Sequence, residues 1–193
     1  MDFKKSFDRV WHAALYAAMR LYNINANFIE SLYSAVYLNG RIGEWFRTTI
    51  GVRQGCLPSP TLFNIFLERI MTDALEQHDE TVSIGGRIIT NLRFADDFDG
   101  LAGEEQELAD LVESLDKTST LYGIEVSAEK TKLITNSRNG IATDIRARGE
   151  KLETVNKFKY LGAVVSDEGS KPEIMSKIAQ TSGAMKRLND HLE

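Results

Sequence analysis

Leu92-Arg93-Phe94-Ala95-Asp96-Asp97-Phe98-Asp99-Gly100-Leu101-Ala102 is the stretch that decides how this chain is read. Two short apolar runs flank an acidic centre, which predicts a tight hairpin with Ala95–Asp99 at its tip. Adjacent carboxylates repel one another and need a neutralising charge. A hard divalent cation supplies it, because magnesium prefers oxygen ligands and combines a few carboxylates with substrate phosphates. Taken alone, an Asp-Asp pair is a weak signal, since Asp is common in turns. A second acidic position on a neighbouring strand would change its weight, and Asp2, in a short extended segment over 1–5, is the candidate. Two ions about 3.5–4 Å apart can activate an attacking hydroxyl and stabilise a leaving pyrophosphate.

Outward from this hairpin the chain alternates helices and short strands. Glu104 to Tyr122 has Leu108, Leu111, Leu115 and Tyr122 at helical spacing, with Gly123 to close it. Ser59-Pro60 is a helix start, with Phe63, Phe66, Ile70 and Ala74 as its buried stripe. Between these helices, Gly85-Gly86 separates two apolar runs as in a hairpin. Asp8 is placed to cap an early helix with Val10, Ala14, Ala17 and Leu21 on one face. A second helix is expected from Asn27, with Phe28, Leu32, Ala35 and Val36 on one face, stopping at Asn39-Gly40. Residues 41–50 read as strand and 51–59 as an irregular loop. Short strands are expected near 124–126 and 132–135, and strand pairing over 151–165. Residues 136–150 are rich in Asn, Ser, Gly and Arg and read as mobile. Ser170 and Glu173 have capping-box spacing ahead of a last helix over 171–189. Helices and hairpins mixed without a regular βαβα rhythm indicate the α+β class.

Composition narrows the function. The 193 residues are 42% hydrophobic and 26% charged, enough for one globular domain with a real core. The net charge of −5 argues against gripping nucleic acid by bulk charge, yet suits a site built from carboxylates. No apolar run is long enough for a membrane span and no leader resembles a signal peptide. Cys56 is the only cysteine, so no internal disulfide can form. An intracellular location, cytoplasmic or nuclear, is expected, with no membrane partner. Cys56 has no histidine placed in sequence to make it a nucleophile, and His12, His78 and His191 lack metal-ligand spacing.

Five segments share a further pattern. Asp2-Phe3-Lys4-Lys5-Ser6-Phe7-Asp8 resembles motif A of reverse transcriptases. Gly51-Val52-Arg53-Gln54-Gly55-Cys56-Leu57-Pro58-Ser59-Pro60, followed by Leu62-Phe63-Asn64, resembles motif B, and is the most specific match. Phe94-Ala95-Asp96-Asp97 is similar to the motif C box. Tyr122-Gly123-Ile124-Glu125-Val126-Ser127 with Glu129-Lys130-Thr131-Lys132 looks like motif D, and Phe158-Lys159-Tyr160-Leu161-Gly162 like motif E, the primer grip. In the family's order they cover residues 2–162, and the wording is closest to non-LTR (LINE-type) retrotransposon enzymes.

The resemblance implies a polymerase palm over 1–165: a small antiparallel sheet with motifs A and C on neighbouring strands, backed by helices. Residues 166–193 would form a C-terminal helix at the start of a thumb. It implies two-metal nucleotidyl transfer with Mg2+ (or Mn2+) held by Asp2, Asp96 and Asp97. Lys130 would stabilise or protonate the leaving pyrophosphate. Phe3, Phe7, Arg53, Gln54 and Gly55 would form the nucleotide side, with Phe7 rejecting a 2′-hydroxyl. Phe158, Tyr160, Leu161 and Gly162 would hold the primer. Partners would be an RNA/DNA template-primer and dNTP in a full-length parent, whose fingers and complete thumb are expected to be missing from the segment that motifs A to E cover. Three features depart from the family pattern. The chain opens at motif A. Motif B reads Leu57-Pro58-Ser59-Pro60 where Pro-Leu-Ser-Pro is usual, and Phe98-Asp99-Gly100 is more polar than the residues that usually follow the box. Strand alternation points Asp99 away from that box. A weak or inactive catalytic core is therefore expected of the fragment alone. The alternative is a truncated or domesticated remnant acting as a binding or scaffold domain. Exposed apolar palm surface would favour self-association.

Overall fold

The computed structural model describes residues 1–25, 33–76, 82–95, 97–135 and 143–189. Among them, a 3-10 turn at Ser6–Arg9 leads into helix α1 (His12–Leu21). Helix α2 spans Ser59–Leu75, α3 Glu105–Leu121 and α4 Lys171–Asn189. The strands are short: β1 (Tyr33–Ser34), β2 (Tyr37–Leu38), β3 (Arg41–Ile42), β4 (Phe46–Arg47), β5 (Ser83–Ile84), β6 (Arg87–Ile88), β7 (Asn91–Phe94) and β8 (Asp97–Gly100). They continue as β9 (Lys132–Leu133), β10 (Arg146–Ala147), β11 (Glu150–Lys151), β12 (Glu153–Thr154), β13 (Lys157–Tyr160) and β14 (Ala163–Ser166). The strands pair two by two, and all pairs are antiparallel except β9 with β12. The class is α+β.

The core forms where α2 packs against α1 and α3 beneath the motif C hairpin. Helix α2 has the stripe its sequence predicts: Phe63, Phe66, Ile70 and Ala74 are all buried. Val112 and Leu115 of α3 meet them, with Leu15 from α1 and Phe98 from β8. Each such side chain contributes on the order of 1.5–3 kcal/mol relative to leaving it in water. Tyr122 at the end of α3 donates its hydroxyl to Asp73 Oδ2 at 2.5 Å, and Arg69 also bonds Asp73, so the two helices are stapled at one end.

Several local expectations fail. Helix α1 begins at His12 and Asp8 caps nothing, because it lies inside the 3-10 turn that follows Lys5, which has φ 48°. The buried face of α1 is His12, Ala14, Leu15, Ala18 and Met19, with Ala17 and Leu21 exposed. The helix expected over 27–38 is absent from its described part, where Tyr33–Ser34 and Tyr37–Leu38 are strands; Asn27, Phe28 and Leu32 lie outside the described residues. The strand expected across 41–50 reduces to β3 and β4. Residues 143–150 are packed, with Thr143, Ile145 and Ala147 buried, while 136–142 lie outside the described residues. Glu173 caps no box: its Oε2 accepts the Val164 amide at 2.6 Å and so ties α4 to β14.

Candidate active site

The segment Met1–Lys4 is the centre of the site, and both of its edges are bonded. On one side the Phe98 amide donates to the Met1 carbonyl at 3.2 Å, and the Met1 amine donates back to the Phe98 carbonyl. On the other, the Ser127 amide donates to the Asp2 carbonyl and the Lys4 amide to the Glu125 carbonyl, both at 2.8 Å, with Phe3 bridging Val126. Two stretches nearly a hundred positions apart in the chain therefore lie side by side. Mutual exchange of both bonds makes Met1 and Phe98 a hydrogen-bonded antiparallel pair, and one step along this register sets Asp2 across from Asp97. Phe3 and Phe98 are buried, so alternation turns Asp2, Asp97 and Asp99 to the other face.

Electrostatics agrees with that placement. Burial holds the Met1 ammonium below its ordinary value, against the opposing pull of Asp99, Asp2 and Asp97. Burial also pushes the Asp99 carboxyl above the usual range; the Met1 ammonium opposes this and Asp97 adds to it. Asp99 thus shares the face of Asp97, contrary to the expectation that it points away from the box. Lys130 Nζ lies 3.0 Å from Asp2 Oδ2 and is itself largely exposed, so a cation reaches Asp2 from the solvent side. Such a part-exposed pair is worth about 1 kcal/mol at most to folding.

The turn between β7 and β8 is tighter than the sequence suggests. Ala95 takes a left-handed φ of 53°, and Asp97 already pairs with Phe94 as strand. Asp96 lies outside the described residues. Among the described residues no group of three His, Cys, Asp or Glu side chains is close enough to hold a metal. In kind the donors fit magnesium: Asp2 and Asp97 supply only carboxylate oxygen, and both occupy the face where Lys130 already finds negative charge.

Of the residues expected on a nucleotide side, Phe7 is half-buried and stacks on Phe63 with ring centroids 4.6 Å apart and planes 16° apart. The Phe7 carbonyl accepts the Val52 amide at 2.8 Å, which binds motif A to the start of motif B. Arg53, Gln54 and Gly55 then extend into solvent. Phe3 is 2% exposed, so its ring belongs to the core rather than to an accessible surface. The segment that resembles motif E forms the β13–β14 hairpin, turning at Leu161 and Gly162, both with positive φ. Phe158 and Tyr160 wall a cavity of about 170 Å³ that Asp99 and Met1 also line. Burial, then Asp99 and Asp97, raise the Tyr160 phenol above its ordinary value, placing the hairpin beside the carboxylates.

One residue escaped the sequence reading. His12 is 4% exposed, with both ring nitrogens against carbonyl oxygens of the 48–51 segment. Its signal was a polar side chain one turn ahead of Leu15 and Tyr16, on a helix otherwise read only for its apolar positions.

An α+β fold in which a carboxylate-bearing segment is clamped between an acidic hairpin and the stretch whose following turn carries Lys130 is that of a polymerase palm. Residues 1–165 match the family described as Reverse transcriptase (RNA-dependent DNA polymerase), and the chain belongs to that family. It is 31% identical over 194 residues to the Retrovirus-related Pol polyprotein from type-1 retrotransposable element R2 of Popillia japonica, covering 90% of this chain and 32% of that protein. It is 25% identical over 175 residues to the RNA-directed DNA polymerase from mobile element jockey of Drosophila melanogaster, covering 84% and 19%. A type-1 R2 polyprotein of Nasonia vitripennis is 27% identical over 188 residues, covering 88% and 18%. These relatives are non-LTR retrotransposon proteins, as motifs A to E suggested, and the chain spans about a third or less of their length. No helix among the described residues is long and apolar enough to cross a membrane.

Proposed function

We propose that this chain is the palm of an RNA-directed DNA polymerase that adds deoxynucleotides to a primer. Residues 1–165 are the catalytic palm on this reading, and α4 begins the thumb. The observation that supports it best is the backbone pairing of Met1 with Phe98, which brings the Asp2 segment alongside the Asp97 strand with Lys130 at Asp2. Asp2, Asp96 and Asp97 would hold Mg2+, with Mn2+ as a substitute. When bound, the metal supplies charge neutralisation for the attacking hydroxyl and the departing phosphates. The primer 3′-hydroxyl, giving up its proton to water, would form the new bond to the α-phosphorus of the dNTP as the bond to the bridging oxygen breaks and pyrophosphate leaves. Lys130, exposed at its ammonium end, would donate a proton to that pyrophosphate.

The remaining residues act by positioning, which dominates phosphoryl transfer. Phe7, held against Phe63, would lie under the incoming sugar and exclude a 2′-hydroxyl. Arg53, Gln54 and Gly55 would meet the nucleotide from the exposed loop, with Phe3 bracing the site from the core. Phe158, Tyr160, Leu161 and Gly162 would hold the primer end. The macromolecular partner is an RNA/DNA template-primer. Exposed Tyr37, Leu38, Ile42 and Trp45 would favour self-association at high concentration. The site of action is intracellular.

Calorimetric titration of Mn2+ and Mg2+ tests the metal assignment without requiring turnover. The chain should bind with a dissociation constant on the order of a millimolar, typical of a site that shares its ion with substrate phosphates. Asp96→Asn and Asp2→Asn should each weaken binding about tenfold or more, because each removes a carboxylate ligand. Equal binding by all three forms would remove the assignment. Primer extension on an oligo-dT/poly-rA template by a longer protein carrying this palm, with and without Asp96→Asn, tests the activity itself.

A further inference from the structure

The loop bearing Arg53 and Gln54 has its own side chains in solvent, so its position must be set by what precedes it. Residues 48–52 cross the start of α1 closely. The His12 amide donates to the Thr49 carbonyl at 3.1 Å, the Gly51 amide to Val10 at 2.8 Å and the Val52 amide to Phe7 at 2.8 Å. Gly51 has φ +84°, and a Cβ there would come 3.2 Å from the Asp8 carbonyl oxygen. Into this crossing the His12 ring inserts almost completely buried, with Nδ1 3.1 Å from the Thr48 carbonyl and Nε2 2.7 Å from the Gly51 carbonyl. One rigid side chain thus spans two acceptors three residues apart, immediately before the nucleotide loop. A neutral imidazole donates to one of these oxygens and an imidazolium to both. Nε2, at the shorter contact, faces the end of the crossing that leads into Val52 and Arg53.

We infer that His12 is a positioning residue: by holding the Thr48 and Gly51 carbonyls, its ring fixes where the Arg53-Gln54 loop stands relative to Phe7, and so sets affinity for the incoming nucleotide rather than the rate of the chemical step. This rests on the reading of that loop as the nucleotide side. His12 touches neither substrate nor metal and acts only through the loop.

Amide hydrogen exchange in the 193-residue chain tests the hold directly. His12→Phe keeps a ring but removes both ring nitrogens. It should speed exchange at the Gly51 and Val52 amides about tenfold or more, the factor that loss of a buried hydrogen bond allows, and leave Ile70 in α2 unchanged. His12→Gln, which can place an amide donor near Nε2, should keep most of the protection, and His12→Asn, which reaches only toward Thr48, should keep less. If His12→Phe does not fold, the order of Gln above Asn decides. Unchanged exchange in His12→Phe, the reverse order of Gln and Asn, or a rise at Ile70 equal to that at Gly51 overturns the inference. In a polymerase carrying this palm, His12→Asn should raise KM for dNTP about tenfold with kcat within about threefold. A loosened loop with KM unchanged would leave the ring's hold in place and sink the nucleotide role of Arg53 and Gln54.

Discussion

Met1–Lys4 and the hairpins between Tyr33 and Arg47 are both short extended pieces, yet they behave as opposites. The first has both edges bonded to segments far along the chain and buries Phe3 at 2% exposure. Among the described residues the second pairs only with itself, β1 with β4 and β2 with β3, and leaves Tyr37 at 71% and Trp45 at 65% exposure. A lone two-stranded ribbon is marginal in water, whereas a strand held on both sides over a packed face is not. The chemistry proposed here sits on the fully held piece. Carboxylates that must be placed to within a fraction of an ångström need a backbone whose position is over-determined.

The sharpest test of that contrast is Phe63→Ala. Phe63 is fully buried and stacks on Phe7, so its loss removes core area and the support of the sugar-facing ring together. A cost of about 3–5 kcal/mol in denaturant unfolding is expected. A cost near zero would mean that the helix layer does not hold the site.

Gly51→Ala comes next. At φ +84° an L side chain is strained by about 1–2 kcal/mol, and the Cβ would also press on the Asp8 backbone. Gly55→Ala carries a similar φ of +79° with nothing within 4 Å of the added carbon. The Gly51 variant should therefore lose more stability in denaturant unfolding than the Gly55 variant, the excess measuring how tightly motif B lies on motif A. Equal losses would show a loose crossing.

Tyr122→Phe should cost about 1 kcal/mol at neutral pH by removing the hydrogen bond to Asp73. Burial and that bond raise the Tyr122 phenol above its ordinary value. Because the folded pKa exceeds the unfolded one, the folded chain binds more protons in that interval, and stability falls as pH climbs from the unfolded value through the folded one. Stability curves above pH 10 should be less steep in the Phe variant. An unchanged slope would place the staple elsewhere.

The legible parts of this chain are those where one physical pattern had no rival. Phe63, Phe66, Ile70 and Ala74 fit a helix and nothing else, and Gly85-Gly86 takes positive φ at both positions as a tight hairpin requires. The stretch up to Asn39-Gly40 reads as helix from Phe28, Leu32, Ala35 and Val36, yet Tyr33, Val36 and Tyr37 are β-branched and aromatic types that favour strands, and Tyr33–Ser34 and Tyr37–Leu38 pair as strands. Residues 143–150 read as mobile from their Arg and Gly content, while Ile145, Ala147 and Leu152 carry that stretch into the core. The pairing of Asp2 with the Asp97 strand was legible only through the order of five motifs, since no local pattern reports a contact between residues so far apart. His12 was illegible for a related reason: its partners are backbone carbonyls, which every residue has.

The smallest effect expected is the most informative about the outer region. Tyr37→Ser removes a large aromatic side chain from β2, but that side chain is 71% exposed and its strand pairs with the likewise exposed Arg41–Ile42. Unfolding free energy should change by less than about 0.5 kcal/mol, as for surface positions away from packed contacts. The same change removes apolar surface, so sedimentation at high concentration should show less association than the unaltered chain. A loss of stability comparable to that of Phe63→Ala would mean that these hairpins are part of the core, and the division drawn between the held segment and the self-paired ones would fail. Unaltered stability with reduced association would place the function of this region in contacts outside the palm, where the apolar side chains of β2, β3 and β4 are displayed over a backbone that, among the described residues, pairs within the same two ribbons.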